Sequence, residues 1–306
     1  MKKVSFVIPC YRSANTIGVV VDEIRDTMPT LPEYDYEIIL VNDCSPDNTL
    51  EVISALALSD RRITAVDLAK NFGQHAALMS GISHSAGDFV VCLDDDGQTP
   101  ANEVGKLLAR LEQDDCDVAM ASYEHKQHSA FRNFGTKLNN RMTEIMLGKP
   151  RDLSMTSYFA IKRFIVDEML KYKNCFPYLD GLILRCTRRI RTVPVQHRAR
   201  MEGSSGYTLG KLFALWMDGF TAFSVKPLRL ASIFGALTAF AGLIKHFIYS
   251  DIPMGWSSTM ALQLILGGVI LLVLGLAGEY IGRIYMCINA APQYVERSVI
   301  RRGDGK

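Results

Sequence analysis

No two cysteines in the chain are spaced CxxC. The seven present, Cys10, Cys44, Cys92, Cys116, Cys175, Cys186 and Cys287, are scattered and odd in number. That argues against a disulfide framework or a cysteine zinc site and fits a reducing cytosol. The histidines lack HxxxH spacing and are read as structural or surface residues. GxSxG, P-loop and GxGxxG signatures are also missing, so hydrolase, NTPase and dinucleotide readings lack support. Net charge is only +2, too little for the basic face of a general nucleic-acid binder, so no nucleic-acid partner is expected. Met1-Lys2-Lys3 is basic, but the apolar run behind it stops at Pro9, too short for a signal-peptide core, and reads as a first strand. No internal repeat or low-complexity segment is seen.

What is present divides in two. The 306 residues suit one domain of about 200 residues plus further elements. Mean hydropathy is +0.10, and the apolar excess lies in the last third. Before residue 195, short apolar runs at 4–8, 37–41, 63–66, 89–93 and 118–121 alternate with amphipathic, helix-length stretches. Apolar residues on consecutive positions indicate strands covered on both faces. Ser13 or Asn15 is expected to cap the first helix and Asp47 the second, with Pro100 in the first turn of the fourth. The alternation predicts an α/β domain with a mainly parallel sheet, which binds ligands beyond its C-terminal strand ends.

Those ends gather polar groups: Pro9 to Ser13, Asn42 to Asp47 with Asp43 and Ser45, Lys70 to His75, and Asp94-Asp95-Asp96-Gly97-Gln98. Three adjacent carboxylates repel one another unless a cation or solvent offsets them. Asp94 and Asp96 point the same way in an extended segment, and hard oxygen ligands suit Mg²⁺ or Mn²⁺, with Gln98 adding a neutral oxygen. The competing reading is a solvated acidic turn. Asp43 can accept hydrogen bonds from a base or ribose, or form an Asx-turn; Asp47 reads as structural. Ser45, Lys70 and Asp95 join the candidates for substrate binding by position. Arg198, Arg200, Gly203, Ser204, Ser205 and Tyr207 form a stretch able to grip phosphate oxygens, and Arg132 and Lys137 are similar candidates or a solvated helix face.

Leu209, Leu212, Phe213, Trp216, Met217, Phe220 and Phe223 recur at helical spacing, as in a core helix or one lying in a membrane surface. Two apolar runs follow, at 230–249 and 260–281, each able to span a hydrocarbon core of about 30 Å. Lys226, Arg229, Arg283, Arg297, Arg301 and Arg302 flank the pair, against Lys245 near the connecting loop, which puts both termini in the cytoplasm.

The segments VSFVIPCYRSANTI, EIILVNDCSPDNT, KNFGQHAALMSGISHSAGD, VVCLDDDGQTP, RMEGSSGYTLGKL and GEYIGRIY occur in an order that resembles family 2 glycosyltransferases of the polyprenyl-phosphate sugar synthase type. These include dolichyl-phosphate mannose synthases and bactoprenol glucosyltransferases. The resemblance implies a GT-A, Rossmann-like catalytic domain at 1–207, an interfacial amphipathic helix at 208–227, two transmembrane helices within 228–284 and a cytoplasmic tail at 285–306. It implies that Pro9, Tyr11 and Asp43 line a nucleoside pocket. Asp94 and Asp96 would meet the diphosphate and a Mg²⁺ or Mn²⁺ ion, assisted by Gln98, with Arg200 and Ser205 at the phosphates. Arg12-Ser13 stand where Asn-Glu is frequent, Cys44 where glycine is common, and Gly206 where lysine is usual.

The expected activity is inverting, metal-dependent transfer of a sugar from a nucleotide sugar, with a UDP-sugar favoured, to polyprenyl phosphate at the cytoplasmic face of the inner membrane. A homo-oligomer, a flippase and a downstream glycosyltransferase are further partners this type of enzyme suggests. A processive polysaccharide synthase is the first alternative, but QxxRW is lacking. A non-catalytic nucleotide-sugar-binding or recruitment protein is the second, against which the acidic triplet argues. A nucleotidyltransferase fits less well with two membrane runs.

Overall fold

The computed structural model describes residues 1–123, 144, 150, 153, 155–196, 198, 233, 237 and 255–303. In chain order these form β1 (Lys2–Cys10), α1 (Ile17–Thr27), β2 (Tyr34–Asn42), α2 (Thr49–Ser59), β3 (Ile63–Leu68), α3 (Gln74–Ser83), β4 (Phe89–Cys92), α4 (Val104–Leu111) and β5 (Val118–Tyr123). Then come β6 (Phe159–Lys162), α5 (Arg163–Leu170), α6 (Leu179–Cys186), β7 (Ile190–Val195), α7 (Trp256–Ile288) and β8 (Glu296–Arg301).

The eight strands form one sheet in the order β7-β5-β6-β4-β1-β2-β3-β8. Pairings β1–β2, β1–β4, β2–β3 and β5–β7 are parallel; those of β6 with β4 and β5, and of β8 with β3, are antiparallel. The central strands are buried on consecutive residues, as their apolar runs require. Val4, Phe6 and Ile8 of β1 share a core with Val20, Val21 and Ile24 of α1. On the other side α3 approaches so closely that a Cβ on Gly81 would collide with Val7 of β1. That close approach sets the N-terminus of α3, and with it Gln74, beside the strand tips. Because β1 to β4 are parallel neighbours, their following loops all open on one edge.

Four expectations are corrected. Neither Ser13 nor Asn15 is the N-cap of α1; Thr16 holds that position, and the Ser13 carbonyl accepts the Thr16 and Ile17 N–H groups instead. Asn48, not Asp47, is the N-cap of α2, although Asp47 still accepts the Thr49 N–H at 3.3 Å. Pro100 precedes a short 3-10 turn (Ala101–Glu103) rather than entering α4 directly. The segment read as a tail at 285–306 begins inside α7 and then supplies β8, which closes the β3 edge.

The chain divides into two compact units: residues 145–147 and 207–291 form one, and the sheet with residues 292–306 forms the other. Among the described residues one helix segment, Ile265–Ile288, is long and apolar enough to cross a membrane. Apolar side chains such as Ile265, Leu271, Leu274 and Ile281 on it are exposed. The amphipathic stretch at 208–227, and the first apolar run apart from helical residues Ile233 and Leu237, lie outside the described residues.

Candidate active site at the strand tips

The loops after β1 and β2 are stitched together. The Asp43 N–H donates to the Cys10 carbonyl at 3.1 Å, the Arg12 N–H to Ser45 Oγ at 2.7 Å, and the Ser13 N–H to Thr49 Oγ1 at 3.0 Å. Arg12 and Cys44 both adopt left-handed backbone, with φ of 59° and 50°. Glycine takes that conformation without a Cβ penalty, which accounts for its frequency at the position of Cys44 in proteins of this pattern. Tyr11 stands 45% exposed at the mouth, and the Arg12 guanidinium lies 5.7 Å from its ring centre.

Asp43 is 4% exposed, and its two oxygens accept the N–H groups of Phe72 at 2.7 Å and Gly73 at 2.9 Å. Burial nevertheless raises its carboxyl above the ordinary value, the amide bonds offsetting part of that rise. Gly73, with φ of 88°, supplies the turn that aims both amides inward. A carboxylate fixed by two amides presents its remaining lone pairs in a set direction, as reading a base or ribose requires.

Beyond β4 the three acidic residues have three different surroundings. Asp94 accepts the Gln74 Nε2–H at 3.0 Å on one oxygen and the Ser157 hydroxyl on the other. Asp95 accepts the Tyr11 N–H at 3.0 Å, tying the triplet to the β1 loop. Its carboxyl is pushed up to about 6, first by burial and further by the charges of Asp94 and Asp96. Asp96 accepts the Gln98 N–H at 2.9 Å across Gly97, whose φ is 73°. Tyr123, at the end of β5, has its phenol raised by burial and then by Asp94 and Asp96, so it faces the same negative field.

Among the described residues no three His, Cys, Asp or Glu side chains converge as a metal cluster. Mg²⁺ and Mn²⁺ sites at phosphates commonly use one or two carboxylates, with phosphate oxygens and waters completing the shell. Asp94 and Asp96, two carboxylates flanking Asp95 beyond β4, fit that pattern.

The remaining candidates divide. Pro9, half-buried, is the penultimate residue of β1. Ser45 is used within the protein, accepting from Arg12 and donating to Asp47. Lys70 is exposed, its ammonium 4.9 Å over the Phe72 ring. Arg198 is held by Glu23 of α1 at 2.7 Å and by Asn102 at 3.0 Å, so its charge is already engaged. Arg132, Lys137, Arg200, Gly203, Ser204, Ser205 and Tyr207 lie outside the described residues. Gln74, Ser157 and Tyr123 meet the acidic residues only through the fold. Gln74 stands in the KNFGQH segment, but nothing local marked it as a partner of Asp94. His75 packs edge-on against Tyr178 at 5.1 Å, and burial lowers its imidazole to about 4, so it is neutral and structural.

A sheet of this order with an acidic triplet beyond β4 defines a GT-A-like α/β glycosyltransferase domain. The chain belongs to glycosyl transferase family 2, whose pattern matches residues 5–170, while residues 226–284 match the GtrB C-terminal hairpin. It is 32% identical to the undecaprenyl-phosphate 4-deoxy-4-formamido-L-arabinose transferase of Klebsiella pneumoniae subsp. pneumoniae, over 99% of this chain and 95% of that protein. It is likewise 32% identical to the Yersinia enterocolitica enzyme of the same name, over 98% of this chain and 94% of that protein. The fold is similar to glucosyl-3-phosphoglycerate synthase of Mycobacterium tuberculosis, with a TM-score of 0.52, 19% identity and coverage of 70% of this chain and 77% of that one. A structure of that synthase with Mn²⁺ and UDP-glucose superposes with a TM-score of 0.51 and 19% identity, covering 70% of this chain and 75% of that one.

Proposed function

We propose that the protein transfers one sugar from a nucleotide sugar, with a UDP-sugar favoured, to undecaprenyl phosphate. The product is a polyprenyl-phosphate-linked monosaccharide for envelope glycan or lipopolysaccharide modification. The observation that carries this reading is the braced acidic triplet: Asp94 held by Gln74 and Ser157, and Asp95 tied to Tyr11, beside the amide-fixed Asp43. The full-length similarity to undecaprenyl-phosphate sugar transferases supports the acceptor class.

In the proposed reaction an oxygen of the lipid phosphate attacks the anomeric carbon in line. The new carbon–oxygen bond forms as the bond to the nucleoside diphosphate breaks, and the configuration inverts. That oxygen is already anionic at neutral pH, so no general base is needed. Tyr11, Pro9 and Asp43 would hold the nucleoside. A Mg²⁺ or Mn²⁺ ion bound at Asp94 and Asp96, with Gln98 nearby, would neutralise charge growing on the leaving diphosphate. Arg132, Arg200, Ser205 and Tyr207 are assigned to the phosphates of donor and acceptor, where fixed cations and donors stabilise the same charge. Residues 230–249 and α7 are assigned as two membrane spans and 208–227 as an interfacial helix. Both termini and the catalytic unit then face the cytoplasm, where the acceptor head group lies. A homo-oligomer, with a flippase and a downstream transferase acting on the product, remains part of the proposal.

Incubating the purified protein with a radiolabelled nucleotide-sugar panel and undecaprenyl phosphate tests this. One singly glycosylated lipid is expected. A polymer, or no lipid product from any donor, would refute it.

A further inference from the structure

The last strand reaches the donor loops through a continuous line of hydrogen bonds. Arg297 of β8 places Nη1 3.3 Å from Asp67 Oδ2 and donates Nη2–H to the Ala69 carbonyl at 3.0 Å. Asp67, on β3, is 1% exposed. Its other oxygen accepts the Asn42 Nδ2–H at 2.7 Å, and Asn42 Oδ1 in turn accepts the Ser45 N–H at 3.1 Å. Ser45 Oγ takes the Arg12 N–H. Asn42 directly precedes Asp43 and the left-handed Cys44.

A carboxylate this deeply withdrawn from water is costly unless its oxygens are paired. Arg297 supplies the opposite charge. Asp67 in turn decides which way the Asn42 amide faces: with Nδ2 committed to Asp67, only Oδ1 is left for the Ser45 N–H. A reversed amide would set NH₂ against N–H and release the 42–45 turn.

We infer that Arg297 and Asp67 are positioning residues for the donor site: β8, contributed from the far side of α7 in sequence, locks the Asn42 amide and so fixes the turn that presents Asp43. None of the recognisable sugar-transfer segments contains either residue. The inference rests on the reading of the strand-tip loops as the nucleotide site.

A second anchor of the same strand provides the control. Glu296 accepts the Ser80 hydroxyl at 2.7 Å and meets His84 Nε2 at 3.0 Å, without touching the line to Asn42. A change that merely loosens β8 should act through either anchor, whereas the line acts only through Arg297.

The test uses the full-length protein in detergent or nanodiscs, with UDP and Mn²⁺ binding by calorimetry alongside steady-state transfer. Arg297→Ala should weaken UDP binding and raise the donor KM by about tenfold, while kcat stays within about twofold. Arg297→Lys should recover most of that loss, and Glu296→Ala should leave UDP affinity within about twofold of wild type. If Arg297→Ala does not fold, the paired change Asp67→Asn with Arg297→Met removes both charges and keeps an acceptor for Asn42; it should bind UDP within about threefold of wild type. Wild-type affinity in Arg297→Ala, equal losses in Arg297→Ala and Glu296→Ala, or loss of binding in the paired variant would overturn the inference. A wild-type protein that binds no UDP would overturn the nucleotide-site reading first, and the inference with it.

Discussion

A carboxylate whose oxygens already accept hydrogen bonds is aimed before any ligand arrives, and such aiming separates the acidic residues here. Asp43 is fixed by two backbone amides, Asp94 by an amide side chain and a hydroxyl, and Asp95 by the Tyr11 N–H. The acidic residues themselves were legible in the sequence, because three carboxylates at the end of an apolar run demand a cation or solvent. Their braces were not, because Gln74 lies 20 residues before Asp94 and Ser157 lies 63 after it. Cys44 shows the opposite case, where an unusual residue becomes intelligible through its φ of 50°. Left-handed backbone costs a non-glycine residue about 1–2 kcal/mol, more for a β-branched one. Thermal unfolding should therefore find Cys44→Gly at or slightly above wild-type stability and Cys44→Val about 1–2 kcal/mol below Cys44→Gly. Equal stability of the two variants would show that the turn does not hold this backbone.

At the scale of elements, legibility followed burial. The five strands read from consecutive apolar residues are β1 to β5, which fill the sheet's interior apart from β6. The three missed strands carry weaker patterns. β6 is four residues long, β7 contains Arg191, Thr192 and Pro194, and β8 has only Val299 and Ile300 as apolar residues. Two of them are edge strands, half covered, where periodicity is diluted by polar positions. β6 is central but short, and only its antiparallel pairing with β4 and β5 defines it. Helix α7 is legible for the reverse reason: its apolar residues run all round in sequence, and on its membrane-length segment Ile265, Ile270, Leu271, Leu274 and Ile281 are exposed. Its Arg283 pairs with Glu279 one turn earlier at 2.7 Å, so the two charges offset each other. If this helix spans a bilayer, Leu271→Arg should cost about 2.5–3.5 kcal/mol of insertion and shift the protein out of the membrane fraction on carbonate extraction. Unchanged partitioning would remove α7 from the list of spans.

Over the whole molecule, one unit carries a sheet with an acidic edge and the other carries a helix long and apolar enough to cross a membrane. A water-soluble donor and a lipid-borne acceptor require that combination. Residues 292–306, which follow α7 in sequence, belong to the sheet unit and supply β8, which completes the sheet at its β3 edge. The central claim is that Asp94 and Asp96 hold a cation beside the departing diphosphate. The most direct measurement compares wild type and Asp96→Ala in transfer from a radiolabelled nucleotide sugar to undecaprenyl phosphate, with Mg²⁺ or Mn²⁺ and again in EDTA. Transfer is expected only in wild type with metal, while Asp96→Ala keeps the wild-type fold by circular dichroism and loses at least about a hundredfold in rate. Full activity of the folded variant, or of wild type in EDTA, would contradict the claim.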